Sequence, residues 1–320
     1  MATLITGGTG FIGAEVVRLL LEKGEKRPVV FHAHPGTRRL DDVADQVELV
    51  QGDLGNFSHV LDIVKKVKPT VIYHLGGMLS LPSDADPAAA LHVNALGTFH
   101  VLEAARFFDV PQVLFSSTIG TYGSGIEGDA LDDNTLQRPL MFYGVTKVFC
   151  EHMGLFYKRK YGLDFRGIRY PSVVGPGVRT PGGVQYTSWA IEEPAKGNPF
   201  TIWVPPETRI PVIYFKEAAS AIVELEQTPL RNIKTVNYLI GGTAPVASAG
   251  ELADMVRARM PGAQIDFKPN PELLPMLRTL TLPIDDTNAR QEWGWTPRYD
   301  QERIIDDFLQ EMRLHPQRYG

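Results

Sequence analysis

This sequence has little cysteine, no excess of basic charge and no long apolar runs. Cys150 is the single cysteine, so no internal disulfide can form, which agrees with a reducing compartment. The 32 Lys and Arg residues are outnumbered by 37 Asp and Glu residues, and the net charge is −5. Because binding to a nucleic-acid backbone depends on clustered positive charge, we expect no nucleic-acid partner.

The start of the chain also lacks a membrane or export segment. A spanning helix needs about 18 or more apolar residues in a row, but Glu15, Arg18 and Glu22 interrupt the first apolar stretch. Met1–Ile5 leads directly into glycines, without a basic region or a small-residue cleavage site. We expect a soluble, cytoplasmic protein with no membrane partner. Its eight histidines show no spacing typical of metal ligands, so no metal site is expected.

The chain does contain short apolar runs, rich in branched residues, that alternate with segments of helical periodicity. This alternation predicts an α/β fold, a Rossmann doubly wound parallel sheet with helices on both faces. The predicted strands are Thr3–Thr6, Pro28–His32, Val47–Val50, Thr70–His74, Gln112–Ser116 and Phe165–Tyr170. The predicted helices are Phe11–Lys23, Phe57–Lys66, Pro87–Phe108 and Phe142–Tyr161, the third capped by Asp86.

The composition of the chain changes after residue 171. Prolines punctuate residues 171–211 and predict mostly loops there. Helical periodicity returns at Tyr214–Gln227, Gly250–Met260 and Gln301–Arg313, and a strand is predicted at Thr235–Gly241. With 320 residues, and about 150 residues per domain, the length predicts two domains, with one large domain as the alternative.

A glycine-rich motif stands directly after the first predicted strand. In Gly7-Gly8-Thr9-Gly10-Phe11-Ile12-Gly13, glycines recur every third residue where a helix opens. Such glycines allow a tight turn and the close approach of a pyrophosphate to free N–H groups at the helix N-terminus. The order of strand, glycines and helix predicts a dinucleotide-binding loop formed by Gly7, Gly10, Phe11, Ile12 and Gly13.

The residues expected near the adenosine leave the choice between NAD and NADP open. An acid about 20 residues after the glycines usually binds the ribose hydroxyls, but His32 stands there in this chain. Arg38 and Arg39 follow, and they are either partners of the 2′-phosphate of NADP or solvated loop charges. Asp53, followed by Leu54, is a candidate to accept a hydrogen bond from the adenine amine, with a turn or helix-cap role as the alternative.

Tyr143 and Lys147 stand four residues apart at the start of a predicted helix, hence about one turn apart on one face. Tyrosine is a poor base at neutral pH because its pKa is about 10, and a neighbouring ammonium group favours the phenolate. Ser116, Ser117 and Thr118 end the fifth predicted strand, where a hydroxyl can hold a substrate oxygen against the tyrosine. By itself, this Tyr-Lys spacing is also common on helix surfaces.

In this order, the motifs resemble those of the extended short-chain dehydrogenase/reductase family, which includes nucleotide-sugar epimerases and dehydratases. The resemblance also rests on Gly52-Asp53-Leu54, on Asn94 and on Arg169-Tyr170-Pro171. It implies that Tyr143 is the general acid/base, that Lys147 holds the nicotinamide ribose and lowers the tyrosine pKa, and that Thr118 orients the reacting hydroxyl. It also implies NAD(P) as the cofactor, in a groove lined by Leu75, Gly76, Gly77, Asn94, Ser116, Tyr170 and Pro171.

Within that family the chain resembles the L-threonine 3-dehydrogenases of the short-chain type. The likeness includes Leu79-Ser80, Pro181-Gly182-Gly183 and Thr208-Arg209-Ile210-Pro211, so it extends into the second half of the chain. It implies a small substrate surrounded by Ser80, Thr118, Tyr143, Gly182 and a hydroxyl near Tyr186 or Thr187. Arg209 is a candidate to bind a substrate carboxylate, with an interdomain or surface ion pair as the alternative.

Two departures from the family pattern bear on the reaction. Dehydratases carry an Asp-Glu pair after the catalytic threonine, where this chain has Ile119 and Gly120, and epimerases usually carry an asparagine where it has Ser172. The first disfavours elimination of water and the second favours a smaller substrate. We expect NAD(P)-dependent oxidation of a secondary alcohol, L-threonine to 2-amino-3-oxobutyrate. The alternatives are a nucleotide-sugar 4-epimerase or reductase and a non-catalytic NAD(P)-sensing protein.

Periodicity and resemblance together predict how the chain is divided and assembled. The expected Rossmann domain comprises residues 1–171 and 213–240, and a smaller α/β substrate domain comprises residues 172–212 and 241–320. Phe149, Met153, Phe156 and Tyr157 form an apolar face beside the catalytic helix. Core packing or a dimer interface explains this face, and the resemblance favours a homodimer.

Overall fold

The computed structural model describes residues 2–33 and 36–319, and it confirms the predicted α/β fold. The strands are β1 (Thr3–Thr6), β2 (Val29–His32), β3 (Glu48–Gln51), β4 (Val71–His74), β5 (Gln112–Thr118), β6 (Asp164–Tyr170), β7 (Ser172–Val174), β8 (Phe200–Ile202), β9 (Val212–Tyr214), β10 (Asn237–Leu239) and β11 (Ile265–Phe267). Seven of them form one parallel sheet in the order β3-β2-β1-β4-β5-β6-β10. The order reverses between β1 and β4, and ligands of such sheets bind at the carboxyl ends of the strands beside this reversal.

Helices cover both faces of the sheet. They are α1 (Phe11–Glu22), α2 (Phe57–Val67), α3 (Ser80–Ala85), α4 (Pro87–Ala90), α5 (Gly97–Phe107), α6 (Phe142–Tyr161), α7 (Tyr186–Ala195), α8 (Phe215–Gln227), α9 (Ala249–Arg259), α10 (Leu274–Leu277), α11 (Thr287–Trp293), α12 (Gln301–Leu314) and α13 (Pro316–Tyr319). Short 3-10 helices lie at Arg38–Gln46, Ile119–Thr121, Leu230–Asn232 and Thr279–Thr281.

The two faces of the sheet bury two separate apolar cores. Side chains alternate between the faces along each strand, so Ile5 of β1 packs with α1 and α8, whereas its neighbour Leu4 packs with α2, α5 and α6. Every residue of β1, β2 and β4 is buried. This double burial explains why the strands read as continuous apolar runs rather than as alternating ones.

The predicted helix at Pro87–Phe108 is a continuous run with an irregular centre. Asp86 caps it as expected, since its Oδ1 accepts a hydrogen bond of 2.9 Å from the N–H of Ala89 and Pro87 follows at the first position. Between α4 and α5, residues Leu91–Leu96 form a π-helical turn. Such turns recur at functional sites, and this one carries Asn94.

Loops predominate between residues 171 and 211, as predicted, although the short strands β7 and β8 and one unexpected helix also lie there. Residues Tyr186–Ala195 form α7, although Pro194 lies inside it. Burial explains the exception: Ala190 and Ile191 belong to an apolar cluster with α9 and α12, and the proline falls in the last turn, where few later hydrogen bonds remain to be broken. The predicted division into two domains stays a prediction.

Candidate active site

The glycine loop joins the end of β1 to the start of α1. Gly7 adopts the left-handed conformation, with φ of +70°, and a Cβ atom there would lie 2.7 Å from the backbone of Gly76. Only glycine therefore fits between β1 and the loop that follows β4. This close approach leaves the backbone bare where the first turn of α1 opens.

The N-terminus of α1 fits a phosphate group. Gly10 is the N-cap and has no side chain to occupy the free N–H groups, and the first turn holds no acidic residue. The helix dipole adds positive potential at the same point. The predicted loop residues Gly7, Gly10, Phe11, Ile12 and Gly13 thus form a cradle that fits the pyrophosphate of a dinucleotide.

The residues predicted for the adenosine side lie at the ends of β2 and β3. His32 is the last residue of β2 and is buried, whereas Arg38 is exposed at the start of a 3-10 helix. Asp53 is exposed, and its carboxylate accepts a hydrogen bond of 2.8 Å from the N–H of Gly55. The turn role considered for Asp53 is therefore observed, and Leu54 is buried behind it.

Arg39 is not a solvated loop charge, because its guanidinium contacts aromatic rings and a backbone carbonyl. Its guanidinium lies between two aromatic rings, 5.2 Å from the ring centre of Phe11 and 5.6 Å from that of Tyr319. It also donates to the carbonyl oxygen of Gly177. Arg39 thereby joins the C-terminal segment to the start of α1, a contact between residues 280 positions apart that no local pattern indicates.

Asn94 connects the loop after β4 to the catalytic helix. Its amide oxygen accepts a hydrogen bond of 2.7 Å from the N–H of Met78, and its nitrogen donates to the Met78 carbonyl and to the Thr146 hydroxyl, both at 3.1 Å. The loop Leu75-Gly76-Gly77 is thereby held against α6. Asn94 acts on the predicted cofactor groove by shaping this loop.

Thr118 and Tyr143 are brought together by the end of β5 and the start of α6. Gly144 allows the approach, since a Cβ atom there would lie 2.1 Å from the carbonyl oxygen of Gly120. The helix start is also tied to α3, because the N–H of Phe142 donates to Asp84 at 2.7 Å. The predicted pair of hydroxyl groups therefore meets at the carboxyl edge of the sheet.

Lys147 lies one turn further along α6 and is 5% exposed. Its ammonium nitrogen donates a hydrogen bond of 2.7 Å to the carbonyl oxygen of Ser116. It also lies 4.7 Å from the ring centre of Phe115 and 5.7 Å from that of Tyr143. Burial lowers the pKa of Lys147 to about 8, because the charged form loses solvation.

The electrostatics of Tyr143 differ from what the resemblance implies. Burial raises the pKa of the Tyr143 phenol above its usual value, and a hydrogen bond with the Thr118 hydroxyl acts in the opposite direction. In the protein chain alone, therefore, desolvation outweighs the stabilisation of the phenolate. A phenolate at neutral pH requires further positive charge beside the ring, such as that of an oxidised nicotinamide.

A buried carboxylate behind these residues has no counterpart among the predicted site residues. Glu151 lies one turn after Lys147 and pairs with Arg169 of β6, with 2.7 Å between the charged atoms. It also accepts a hydrogen bond from the Ser117 hydroxyl. The available signal was the spacing, since Tyr143, Lys147 and Glu151 recur every four residues on one helix.

The residues predicted to bind the substrate lie on several separate elements. Ser80 begins α3, whose Asp84 contacts the start of α6, and Gly182 precedes α7. Thr187 is 5% exposed on α7, where its hydroxyl donates to the Val184 carbonyl at 2.8 Å and lies 3.5 Å from that of Ser172. Tyr186 is buried against the ring of Trp203.

Arg209 and Tyr170 have partners of their own in the protein. Both terminal nitrogens of Arg209 donate to the Glu251 carboxylate, at 2.8 and 2.9 Å, so the ion-pair alternative is the one observed. A substrate carboxylate at this guanidinium would have to displace Glu251. The Tyr170 hydroxyl donates to the Ala218 carbonyl at 2.9 Å, and Pro171 beside it is buried.

Two features are absent from residues 2–33 and 36–319. No helix in those ranges is long and apolar enough to cross a membrane. The same residues contain no group of three or more His, Cys, Asp or Glu side chains placed to hold a metal ion.

Comparison with known proteins adds independent findings. The sequence model of the NAD dependent epimerase/dehydratase family matches residues 3–241. Mitochondrial L-threonine 3-dehydrogenase of Bos taurus is 28% identical over 314 residues, which are 96% of this chain and 81% of that protein. The L-threonine dehydrogenase structure from Phytophthora infestans has a TM-score of 0.86 at 28% identity, over 98% of this chain and 99% of that one. UDP-glucose 4-epimerase of Thermus thermophilus, in complex with NAD, has a TM-score of 0.82 at 28% identity, over 97% and 99% of the two chains.

The parallel Rossmann sheet, the glycine cradle and the Tyr-Lys pair one helical turn apart define an NAD(P)-dependent oxidoreductase of the short-chain dehydrogenase/reductase type. The chain belongs to the NAD dependent epimerase/dehydratase family, whose model covers its residues 3–241.

Proposed function

We propose that this enzyme oxidises the secondary alcohol of a small polar substrate with NAD(P), and that the substrate is L-threonine, which yields 2-amino-3-oxobutyrate. The observation that carries the proposal is the meeting of Thr118 and Tyr143 above the buried ammonium group of Lys147. The likeness to L-threonine dehydrogenases over nearly the whole chain supports the choice of substrate.

In the proposed reaction the chain moves a proton and positions the reacting groups. The Tyr143 phenolate takes the proton of the substrate hydroxyl, and the Thr118 hydroxyl holds the same oxygen. Bound NAD(P)⁺ supplies the acceptor for the hydride that leaves the carbinol carbon. Lys147 keeps one N–H on the Ser116 carbonyl and has two more to hold the nicotinamide ribose.

The surroundings of Thr118 and Ser172 support oxidation of a small molecule. Ile119, the residue after Thr118, has no ionisable group and is buried in an apolar cluster, so it cannot supply the acid needed for the elimination of water. Ser172 has a short side chain that lies 3.5 Å from the Thr187 hydroxyl. Two hydroxyls at this place suit a small polar group better than a nucleotide diphosphate.

For the cofactor we propose that the enzyme accepts either NAD or NADP. His32, at the end of β2, supplies no carboxylate to accept hydrogen bonds from the ribose hydroxyls or to repel a 2′-phosphate. Arg38, six residues further on, is exposed, and arginine side chains bind phosphate groups well. The family likeness supports NAD, and the loop chemistry supports tolerance of NADP.

We further propose a homodimer formed through α5 and α6. Phe99, Phe149 and Phe156 are each between 38% and 53% exposed on these helices. A cluster of exposed aromatic side chains on one pair of helices is typical of an interface. Met153 and Tyr157, which the sequence grouped with this face, instead pack against the core.

The experiment that tests the function is a fluorescence assay of reduced-cofactor formation with each dinucleotide. The panel contains L-threonine, its stereoisomers, other hydroxy-amino acids and UDP-sugars. Net reduction with L-threonine and none with UDP-sugars is expected. Because the Thermus thermophilus epimerase has the same sequence identity to this chain as the dehydrogenases, UDP-sugar interconversion without net reduction is the competing result, and it would replace the proposal.

A further inference from the structure

The ion pair of Glu151 and Arg169 lies directly behind the catalytic residues. Glu151 is 1% and Arg169 6% exposed. The carboxylate accepts hydrogen bonds from Nη2 and Nε of Arg169, at 2.7 and 3.1 Å, from the Ser117 hydroxyl, and from the Gln137 amide at 3.0 Å. Replacing a buried ion pair by apolar groups is often neutral for stability, so stability alone does not account for this arrangement.

The pair joins the elements that carry the catalytic side chains. Glu151 is on α6, one turn after Lys147 and two turns after Tyr143. Ser117 immediately precedes Thr118 on β5, and Arg169 on β6 is the register partner of Ser117. One carboxylate therefore holds α6, β5 and β6 to each other at the catalytic end of the sheet.

The network continues into the segment that follows Thr118. Nη1 of Arg169 donates to the Tyr122 hydroxyl at 2.8 Å and to the Asp133 carbonyl at 2.9 Å. The Tyr122 hydroxyl donates in turn to the Asp132 carbonyl at 2.9 Å. The residues on both sides of Thr118 are thus tied to the same ion pair, Ser117 to its carboxylate and Tyr122 to its guanidinium.

We propose that Glu151 is a positioning residue of the reaction: by holding Ser117 and Arg169 at once, it fixes the end of β5 against α6 and sets the separation of the Thr118 and Tyr143 hydroxyls. It also supplies the counter-charge of Lys147. This inference rests on the proposed alcohol oxidation.

The counter-charge matters because few charged groups face Lys147. The titratable groups around its ammonium are Tyr143, Cys150 and Glu151 on α6, His74 on β4 and, through Glu151, Arg169 on β6. Burial lowers the pKa of Lys147 to about 8, and interactions with Cys150 and Glu151 act against this shift. Removing the carboxylate takes away this opposing charge and favours the neutral amine.

The central variant is Glu151→Gln, which keeps the shape of the side chain and removes its charge. We expect kcat to fall about 10- to 100-fold, the size of effect that a misplacement of about 1 Å produces. KM and the dissociation constant of the reduced cofactor should stay within about threefold. Glu151→Asp keeps the charge but not the reach, so its kcat should fall while the titration of Lys147 stays near that of the wild type.

A second measurement needs neither substrate nor cofactor. Competitive labelling of the protein with acetic anhydride across pH, read by mass spectrometry, gives the midpoint at which Lys147 becomes nucleophilic. We expect this midpoint to lie about one pH unit lower in Glu151→Gln than in the wild type, a tenfold change in proton affinity. An unchanged midpoint together with an unchanged kcat would overturn the proposal.

Asp164→Asn is the matched control. Asp164 pairs with buried Arg166 at the opposite end of β6, with 2.6 Å between the charged atoms. The Asp164→Asn variant disturbs another buried ion pair of the same strand, yet kcat and the Lys147 midpoint should stay at wild-type values. If this control lowers kcat as much as Glu151→Gln does, the role of Glu151 is only structural and the proposal fails.

If Glu151→Gln does not fold, Ser117→Ala removes one hydrogen bond to the same carboxylate, and it should lower kcat without moving the Lys147 midpoint. If the wild type oxidises no alcohol with either dinucleotide, the proposed function has failed, and the labelling midpoint still decides the role of Glu151 toward Lys147.

Discussion

The carbonyl oxygen of Ser116 accepts a hydrogen bond from the ammonium group of Lys147 at 2.7 Å. This bond fixes the lysine of α6 against β5 and uses one of its three donors. The remaining two N–H groups lie at the carboxyl edge of the sheet, where a dinucleotide bound at the glycine loop would extend its nicotinamide ribose. Loss of these donors should therefore weaken cofactor binding.

Replacing Lys147 by Met removes the donors while keeping an unbranched side chain. We expect the dissociation constant of the reduced cofactor to rise about tenfold and turnover to fall at least about 100-fold, because a charge-assisted hydrogen bond is lost. Titration of cofactor fluorescence measures the first and initial rates the second. Lys158→Met, near the other end of the same helix, should change neither. Unaltered cofactor affinity in Lys147→Met would contradict the assignment.

Replacing Tyr143 by Phe removes the proposed base and little else. Turnover should fall by about 10² to 10⁴, the usual contribution of a positioned acid or base. Cofactor affinity should remain near that of the wild type, since Lys147 and the glycine loop are untouched. Tyr157→Phe on the same helix is the control, because its hydroxyl contacts Glu103 rather than the site. Full turnover in Tyr143→Phe would show that another group takes the proton.

Replacing Gly144 by Ala should separate the two hydroxyl-bearing elements. The added Cβ would lie 2.1 Å from the Gly120 carbonyl oxygen, so the start of α6 must move away from β5. We expect the free energy of unfolding to drop by about 1–3 kcal/mol, as for overpacked cores, together with a fall in kcat. Denaturant unfolding and initial rates measure both effects. The neighbouring exposed residue gives the control Val145→Ala, which should leave kcat unchanged.

His74 should make the protein sensitive to acid. Its ring is 1% exposed and lies between two hydroxyls, 2.8 Å from that of Thr6 and 3.0 Å from that of Thr98. Burial lowers the pKa of His74 to about 3. In the unfolded chain the histidine ring has a pKa of about 6.5 and takes up a proton below that pH. The free energy of unfolding therefore decreases as the pH is lowered from about 6.5 towards 3.

The size of this effect can be measured against a neutral variant. At pH 4.5 the wild type should have lost about 2–3 kcal/mol through His74. In His74→Gln, this part of the pH dependence should disappear. Urea unfolding at pH 7, 5.5 and 4.5 gives both curves. Parallel loss of stability in the two proteins would mean that carboxylates alone cause the acid sensitivity.

The exposed aromatic face predicts the effect of a charge on assembly. Phe149 is 53% exposed on α6, and Phe149→Asp should convert a dimer to a monomer, because an unpaired carboxylate would be buried in the interface. Light scattering after size-exclusion chromatography gives the mass. Leu230→Asp places the same charge at a site of similar exposure on a 3-10 helix and should leave the mass unchanged. A monomeric wild type would refute the dimer.

Much of the fold follows from local patterns. The six strands predicted in the first half agree with β1 to β6 to within about two residues, because runs buried on both faces carry a continuous apolar signal. α7 does not follow from such a pattern, because Pro194 indicates a break while burial of Ala190 and Ile191 favours the helix. Tertiary packing outweighed local propensity at that point.

The candidate site divides in the same way. The spacing of Tyr143 and Lys147, and the glycines after β1, could be recognised in the sequence because each depends on a few consecutive residues. The partners of charged side chains could not, since Glu151 with Arg169, Arg39 with Tyr319 and Arg209 with Glu251 are separated by between 18 and 280 positions. A linear pattern encodes periodicity within a helix or strand, whereas the choice of a charge's partner depends on which distant segments folding packs together.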